Sequence, residues 1–298
     1  MTPRRPGPRW HAIWTTSVAS SRSGIRARSD ARPHSCRPPN GRVRPPNPGE
    51  IPMNALARHS RAHTVALLLL TAGTGVIDAV SYLSLDKVFT GNMTGNVLFL
   101  GFAAAGTGGI PLLNNAVALA GFLVGAVIGG RVVGRGHADK VPLRTVWTLT
   151  VNATVALLLT LYWAVSGLTD HVEMFTVTGL LAMAMGSQVA AVKPIGNADI
   201  TTVVVTSTLG NLARDSRLAG APKGANKGWR HRLSAVVVMG VAAGLGALTI
   251  RLGGTHGGWL GLLLGALAMT SAAVVLAVSR RRAAAPVSTD QARTASAG

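Results

Sequence analysis

The sequence predicts an all-α fold, a polytopic helical membrane bundle, and three observations predict it. First, 13% of the 298 residues are charged and 48% are hydrophobic, against roughly 25% charged in a soluble chain. Second, the apolar residues gather in runs close to the ~20 residues that a helix needs to cross a hydrocarbon core of about 30 Å. Third, the 29 Lys and Arg, which outnumber the 10 Asp and Glu, fall in clusters between those runs. This composition excludes an ordinary soluble enzyme. The single cysteine, Cys36, excludes an intramolecular disulfide framework and a cysteine-based zinc site.

Along the chain, residues 1–62 come first. They hold RPHSCRPPN and RVRPPNPGE, rich in Arg, Pro and Ser. They lack the apolar core of a secretory signal and read as a disordered basic arm. Gly49-Glu50 is encoded by a purine-rich run two codons before Met53, so translation from Met53 is the alternative to a long arm. A membrane domain over 63–280 follows. Its full crossings are expected at 64–83, 111–133, 145–167, 174–192, 233–252 and 258–279. Segments 87–107 and 198–212 are apolar but interrupted by Gly, Asn and Thr. Residues 281–298 read as a disordered tail.

Lys and Arg favour the cytoplasmic ends of spans. The clusters at the N-terminus, 131–144, 213–232 and the tail therefore belong on one side, inside. The loop at 169–173 has Asp170 and Glu173 but no Lys or Arg and belongs outside. Three apolar segments lie between the N-terminal cluster and 131–144, and three between 144 and 213, and each crossing number must be even. One segment of each three must turn back, and the interrupted ones, 87–107 and 198–212, are the candidates. The result is six full spans plus two broken or re-entrant segments, both termini cytoplasmic, in a bacterial inner membrane.

The broken segments resemble each other. FTGNMTGNVL at 89–98 and VVTSTLGNLA at 204–213 align with an offset of 115, and GVIDAVSYL at 75–83 and GSQVAAVKPI at 186–195 with an offset of 111. The order in each half, about 64–167 and 174–279, is span, broken segment, span, span. Three crossings per half make the second half inverted. Inverted repeats with discontinuous helices mark many secondary transporters, although recurrence of Gly, Asn and Thr by composition gives the same pattern.

GVIDAVSYLSL followed by FTGNMTGNVLFLG resembles the YoaK-like family of bacterial integral membrane proteins, and AMGSQVAAVKPIGNADITTVVVTSTLGNLARD looks like that family's second signature. The resemblance spans roughly 64–280 and departs at Ser207, where the family pattern has Gly. It implies about six spans and carries no substrate, because the family is a domain of unknown function.

Candidate site residues follow from the cost of polar groups in a bilayer. An acid inside a span costs at least about 2.5–3.5 kcal/mol and usually faces the bundle interior, which makes Asp78 a candidate proton or cation site. Asp199 opens the second broken segment in a similar position. Thr90, Asn92, Thr94 and Asn96, with Thr206, Thr208 and Asn211, offer neutral donors and acceptors. Gly91, Gly95 and Gly210 permit irregular backbone, which is tolerated at membrane depth only inside protein or beside a wet cavity. Gln188 lies mid-span, as does Asn152, a candidate for interhelical hydrogen bonding. Together these residues outline a substrate path. Small-residue helix packing uses the same residue types.

The expected partners are the lipid bilayer and one small solute, with a homo-oligomer left open and nucleic acid excluded. No cofactor, metal or catalytic residue is expected. The reading is an uncharacterised membrane protein acting as a small secondary transporter or channel; the alternative is a non-transporting scaffold or accessory subunit.

Overall fold

A computed structural model describes residues 53–134, 141–195, 205–222 and 228–284. Residues 53–62 of the expected arm and 281–284 of the expected tail are not disordered but continue the adjoining long helices; the rest of both, and the stretch containing Asp199, lie outside the described residues. The described chain is helical, without a strand. Its α-helices are α1 (Met53–Ser84), α2 (Met93–Ala104), α3 (Leu112–Val133), α4 (Leu143–Ser166), α5 (His171–Val192), α6 (Val205–Arg214), α7 (Trp229–Gly253) and α8 (Gly257–Ala284).

Five stretches are long and apolar enough to cross a membrane, and the last of them, Trp229–Ala283, has 55 residues. That length is more than twice the ~20 residues that one crossing needs. The stretch breaks at a short 3-10 turn, Gly254–His256, where Gly254 has φ +54. A Cβ on the next glycine, Gly257, would lie 2.5 Å from the Ile250 Cα, so only a glycine admits this tight reversal. The stretch thus forms α7 and α8, and six helices have the length to cross. α2 has 12 residues and α6 has 10. At a rise of about 1.5 Å per residue they reach roughly 18 and 15 Å, too short to span.

Hydrogen bonds fix which helix ends share a side. Asn114, in the first turn of α3, donates to the Leu85 carbonyl just past α1 at 2.6 Å. The chain between α1 and α3, which includes α2, therefore returns to the side it left. On the opposite side Thr145 donates to the Ala191 carbonyl, joining the start of α4 to the end of α5. Arg280 donates to the Val141 carbonyl at 2.8 Å, bringing the end of α8 to the start of α4. Arg131, Arg144, Lys193 and Arg280 thereby gather on one side. Tyr162 and Glu173, bonded at 2.9 Å, mark the other.

The packing has an internal two-fold relation. α1 packs on α7 and α8, and α5 packs on α3 and α4; α4 and α8 pack on each other, α2 lies on α3 and α6 on α7. Exchanging α1, α2, α3 and α4 for α5, α6, α7 and α8 leaves this set of pairings unchanged. The exchange holds at single residues. An added Cβ at Gly75 of α1 would meet the Met239 carbonyl of α7, and one at Gly246 of α7 the Val76 carbonyl. An added Cβ at Gly186 of α5 would meet the Phe122 carbonyl of α3, and one at Gly129 of α3 the Ser187 carbonyl. Residues of α1 and α5 correspond at an offset of 111, and those of α3 and α7 at 117. α3 runs alongside α5 in the same direction, because Gly121, Gly125 and Gly129 meet Gly179, Met183 and Ser187 in turn. α1 therefore runs opposite to α5, and the halves are inverted.

Apolar burial gives little preference between protein and lipid here, so close backbone approach at small residues carries the packing. α1 is the central helix, with Leu70, Ile77 and Val80 fully buried. α3 is peripheral and exposes Leu123, Val124, Val127 and Ile128, a surface that suits acyl chains.

Candidate functional site

The polar centre of the first half is built where α1 ends and the chain turns back. Asp86 and Lys87 both adopt left-handed φ, +63 and +53, a conformation uncommon outside glycine. This reversal directs Phe89–Asn92 back beneath α1. Asp78, 5% exposed on α1, receives them. Its Oδ1 accepts the backbone N–H of Thr90 at 3.1 Å and of Gly91 at 2.7 Å. A Cβ on Gly91 would stand 2.9 Å from the Thr74 methyl and 3.3 Å from both Asp78 oxygens, so this close approach requires glycine.

Asn96 fixes the same segment from the other side. Its Oδ1 accepts the Phe89 N–H at 2.9 Å, and its Nδ2 donates to the Phe89 carbonyl at 2.6 Å. Both backbone groups of Phe89 are thus satisfied at depth, where an unmet one is costly. Gly95 is helical, and the Phe89 ring occupies the space where its Cβ would stand. Phe89 stacks on Tyr82 with ring centroids 4.9 Å apart, and both rings lie beside Phe99.

The first half also meets α5 here. Thr74, one turn before Asp78, donates to the Leu70 carbonyl and accepts from Gln188 Nε2 at 3.4 Å. Asp78 Oδ2, Thr90 Oγ1 and Gln188 Oε1 are buried and have no hydrogen-bond partner among the described residues. Asp78 also lines a cavity of about 390 Å³ between α1, the turn before α2 and α7, with Tyr82, Phe89, Asn92 and Ala243 on its wall.

The corresponding place in the second half differs. A cavity of about 830 Å³ opens between α3 and α5, lined by Ala126, Val127, Val189, Lys193 and Arg131. Ala126 and Val189 correspond to Ala243 and Asp78 at offsets of 117 and 111. At the residue corresponding to Asp78 the second half has Val189 and no carboxylate.

Asp78, Thr90, Gly91, Asn96 and Gln188 thus come together, and Asn92 lines the adjoining cavity. Thr94 is exposed on α2, outside this cluster. In α6, Thr208 is buried, Thr206 and Asn211 are exposed, and a Cβ at Gly210 would meet nothing within 4 Å. Asp199 lies outside the described residues. Asn152 is buried between helices, and its Nδ2 has no partner among the described residues. Sequence reasoning missed Thr74. The available signal was its place one helical turn before an intramembrane acid. Among the described residues no three His, Cys, Asp or Glu side chains group as metal ligands.

A family model described as a protein of unknown function (DUF1275) matches residues 66–278. The chain belongs to this family. UPF0700 transmembrane protein YoaK of Bacillus subtilis (strain 168) is 35% identical over 154 residues, which cover 51% of this chain and 65% of that protein. No solved structure matches. Family membership agrees with a multi-pass helical membrane protein and assigns no chemistry to the Asp78 centre.

Proposed function

We propose that this protein is a small secondary transporter or channel for a small solute and has no enzymatic activity. The observation that carries the reading is the inverted two-fold relation, with a helix too short to span in each half. Discontinuous elements in inverted halves are a recurrent way to build alternating access around a central site. The buried polar centre at Asp78 supports the reading, since an intramembrane acid is a functional candidate by default. The Lys and Arg excess on the side that gathers Arg131, Arg144, Lys193 and Arg280 supports reading that side as cytoplasmic, with both termini on it and a bacterial inner membrane as the location.

The test is water access. In a Cys36→Ser background, single cysteines replace Thr94 and Thr208, and a membrane-impermeant thiol reagent is applied to intact cells and to inside-out vesicles. Labelling of the two positions from opposite faces is the expected result. Protection of both from both faces would overturn the transport reading and favour a packed scaffold.

A further inference from the structure

We propose that the cavity between α3 and α5 binds one anionic phospholipid, with Arg131 and Lys193 holding the headgroup phosphate and the apolar wall holding an acyl chain. The site does not depend on the transport reading above.

The geometry begins with the parallel course of the two helices. Gly121, Gly125 and Gly129 of α3 meet Gly179, Met183 and Ser187 of α5, a constant offset of 58. At that register Arg131 stands level with Val189, and Lys193 lies one helical turn, about 6 Å, further along. Both line the same cavity of about 830 Å³. On each helix the residue one turn before the cation is apolar and lines the cavity too. Leu123, Val127 and Arg131 follow at four-residue spacing on α3, as Val189 and Lys193 do on α5, and residues so spaced share a helix face. Leu123 and Val127 are more than half exposed. The groove is therefore apolar along its length and doubly basic at one end.

That end lies where a span meets the headgroup layer. Arg131 is in the last turn of α3, and Lys193 follows the last residue of α5. Both side chains are exposed, and neither has an acidic partner among the described residues. The C-terminus of a helix carries about −0.5 charge, so two helix ends offset only about half of two full positive charges. Arg144 also serves the end of α3, donating to the Val132 carbonyl at 3.5 Å. Positive charge is in excess, and the cavity wall carries no Asp or Glu.

The occupant follows from charge and apolar surface together. A soluble anion would meet the cations and leave Leu123 and Val127 uncovered. A neutral lipid would cover the wall and give the cations no counter-charge. An anionic phospholipid does both. Its phosphate accepts charge-assisted hydrogen bonds from the guanidinium and the ammonium, whose flexible stems let both heads reach one headgroup. Basic pockets between membrane helices take such headgroups. The two-fold relation supplies an internal contrast. Arg131 and Lys193 correspond to Leu248 and Tyr82 at offsets of 117 and 111, and the cavity between α1 and α7 has no basic residue on its wall. One groove of the pair carries the charge.

The experiment uses the full chain purified and delipidated in detergent. Phosphatidylglycerol, phosphatidylcholine or glycerol 3-phosphate is added, and the unfolding midpoint and the lipid retained in native mass spectra are followed. The expected result is a saturable rise in midpoint and one retained lipid with phosphatidylglycerol, a much weaker response to phosphatidylcholine and none to glycerol 3-phosphate. Arg131→Gln with Lys193→Gln should weaken the apparent phosphatidylglycerol affinity by about tenfold, the equivalent of 1.4 kcal/mol. Arg281→Gln with Arg282→Gln removes the same charge from the end of α8 and should leave the affinity unchanged. Val127→Trp fills the apolar wall, keeps both cations and should also weaken retention; if the first double variant does not fold, this one decides. Four results would overturn the proposal: an equal response to phosphatidylcholine, a full response to glycerol 3-phosphate, equal losses in the two double variants, or a dimer without retained lipid that Val127→Trp dissociates.

Discussion

Asp78 accepts the backbone N–H of Gly91 at 2.7 Å, and the space a side chain at Gly91 would fill is occupied by Asp78 itself and by Thr74. The carboxylate and the absence of a side chain opposite it are one arrangement. Gly91→Ala should force the turn away from α1, weaken both amide bonds to Oδ1 and destabilise the protein by about 1–3 kcal/mol, the usual cost of overpacking. The measurement is the unfolding midpoint in detergent. A Gly91→Ala protein as stable as the wild type would show that the turn does not depend on this approach.

The two-fold relation predicts unequal tolerance at corresponding positions. A Cβ on Gly125 of α3 would collide with the Met183 backbone carbonyl of α5, and backbone cannot move aside as a rotamer can. Its counterpart on α7, at an offset of 117, is Ala242, which carries a Cβ and is buried. The α3–α5 crossing is therefore the tighter one. Gly125→Ala should lower the unfolding midpoint, and Gly246→Ala should do so too, because its Cβ would lie 2.8 Å from the Val76 carbonyl. Gly240→Ala on α7 meets nothing within 4 Å and should be neutral or stabilising by up to about 1 kcal/mol through helix propensity. Equal effects at all three positions would remove the packing explanation.

Much of this architecture is legible in the sequence because a bilayer imposes lengths. Six apolar runs became six long helices, and the parity of basic clusters identified 87–107 as the segment that turns back, as the Asn114–Leu85 bond shows. The weak 75–83 and 186–195 alignment had the offset that the packing of Gly75 and Gly186 displays. Asp78 stood out as an acid in an apolar run. Its surroundings did not. Threonine recurs along these helices and mostly bonds its own preceding turn, as Thr71, Thr148 and Thr160 do. Thr74 differs locally only in standing one turn before Asp78, and its contact with Gln188, 114 residues away, has no local signal. Composition likewise could not separate Gly91, which admits a carboxylate, from Gly210, which faces open space.

The connection between α6 and α7 predicts a pH response. Asp215 holds Arg232 at 2.8 Å and Arg214 at 3.3 Å. The hydrogen bond from Arg232, then that from Arg214, lowers the Asp215 carboxyl below its ordinary value. A group whose value is depressed on folding contributes stability above its unfolded value, about 3.9. That contribution fades as pH falls through the lower folded value. Amide hydrogen exchange over 205–222 should therefore quicken below about pH 4, beyond the intrinsic trend, and Asp215→Asn should remove this acid-dependent component. A wild type and variant with the same pH profile would mean that the pair does not anchor α6.

Asn96 gives the sharpest chemical test of the re-entrant turn. Its amide serves Phe89 as both acceptor and donor, and a replacement can spoil one role at a time. Asn96→Asp keeps the acceptor for the Phe89 N–H but sets a second oxygen against the Phe89 carbonyl, where Nδ2 now donates at 2.6 Å. Two acceptors facing each other in a buried site repel. Asn96→Ala removes both bonds and leaves both backbone groups of Phe89 to find other partners. Each should destabilise by at least about 1–3 kcal/mol, the cost of a buried polar group left unmet. Asp should be the worse of the two near neutral pH and should recover past Ala towards the wild type as acid protonates it, because a protonated carboxyl donates to the Phe89 carbonyl again. Unfolding midpoints of the two variants across pH 4–8 measure this. Parallel curves would show that Asn96 contributes packing and not its paired hydrogen bonds.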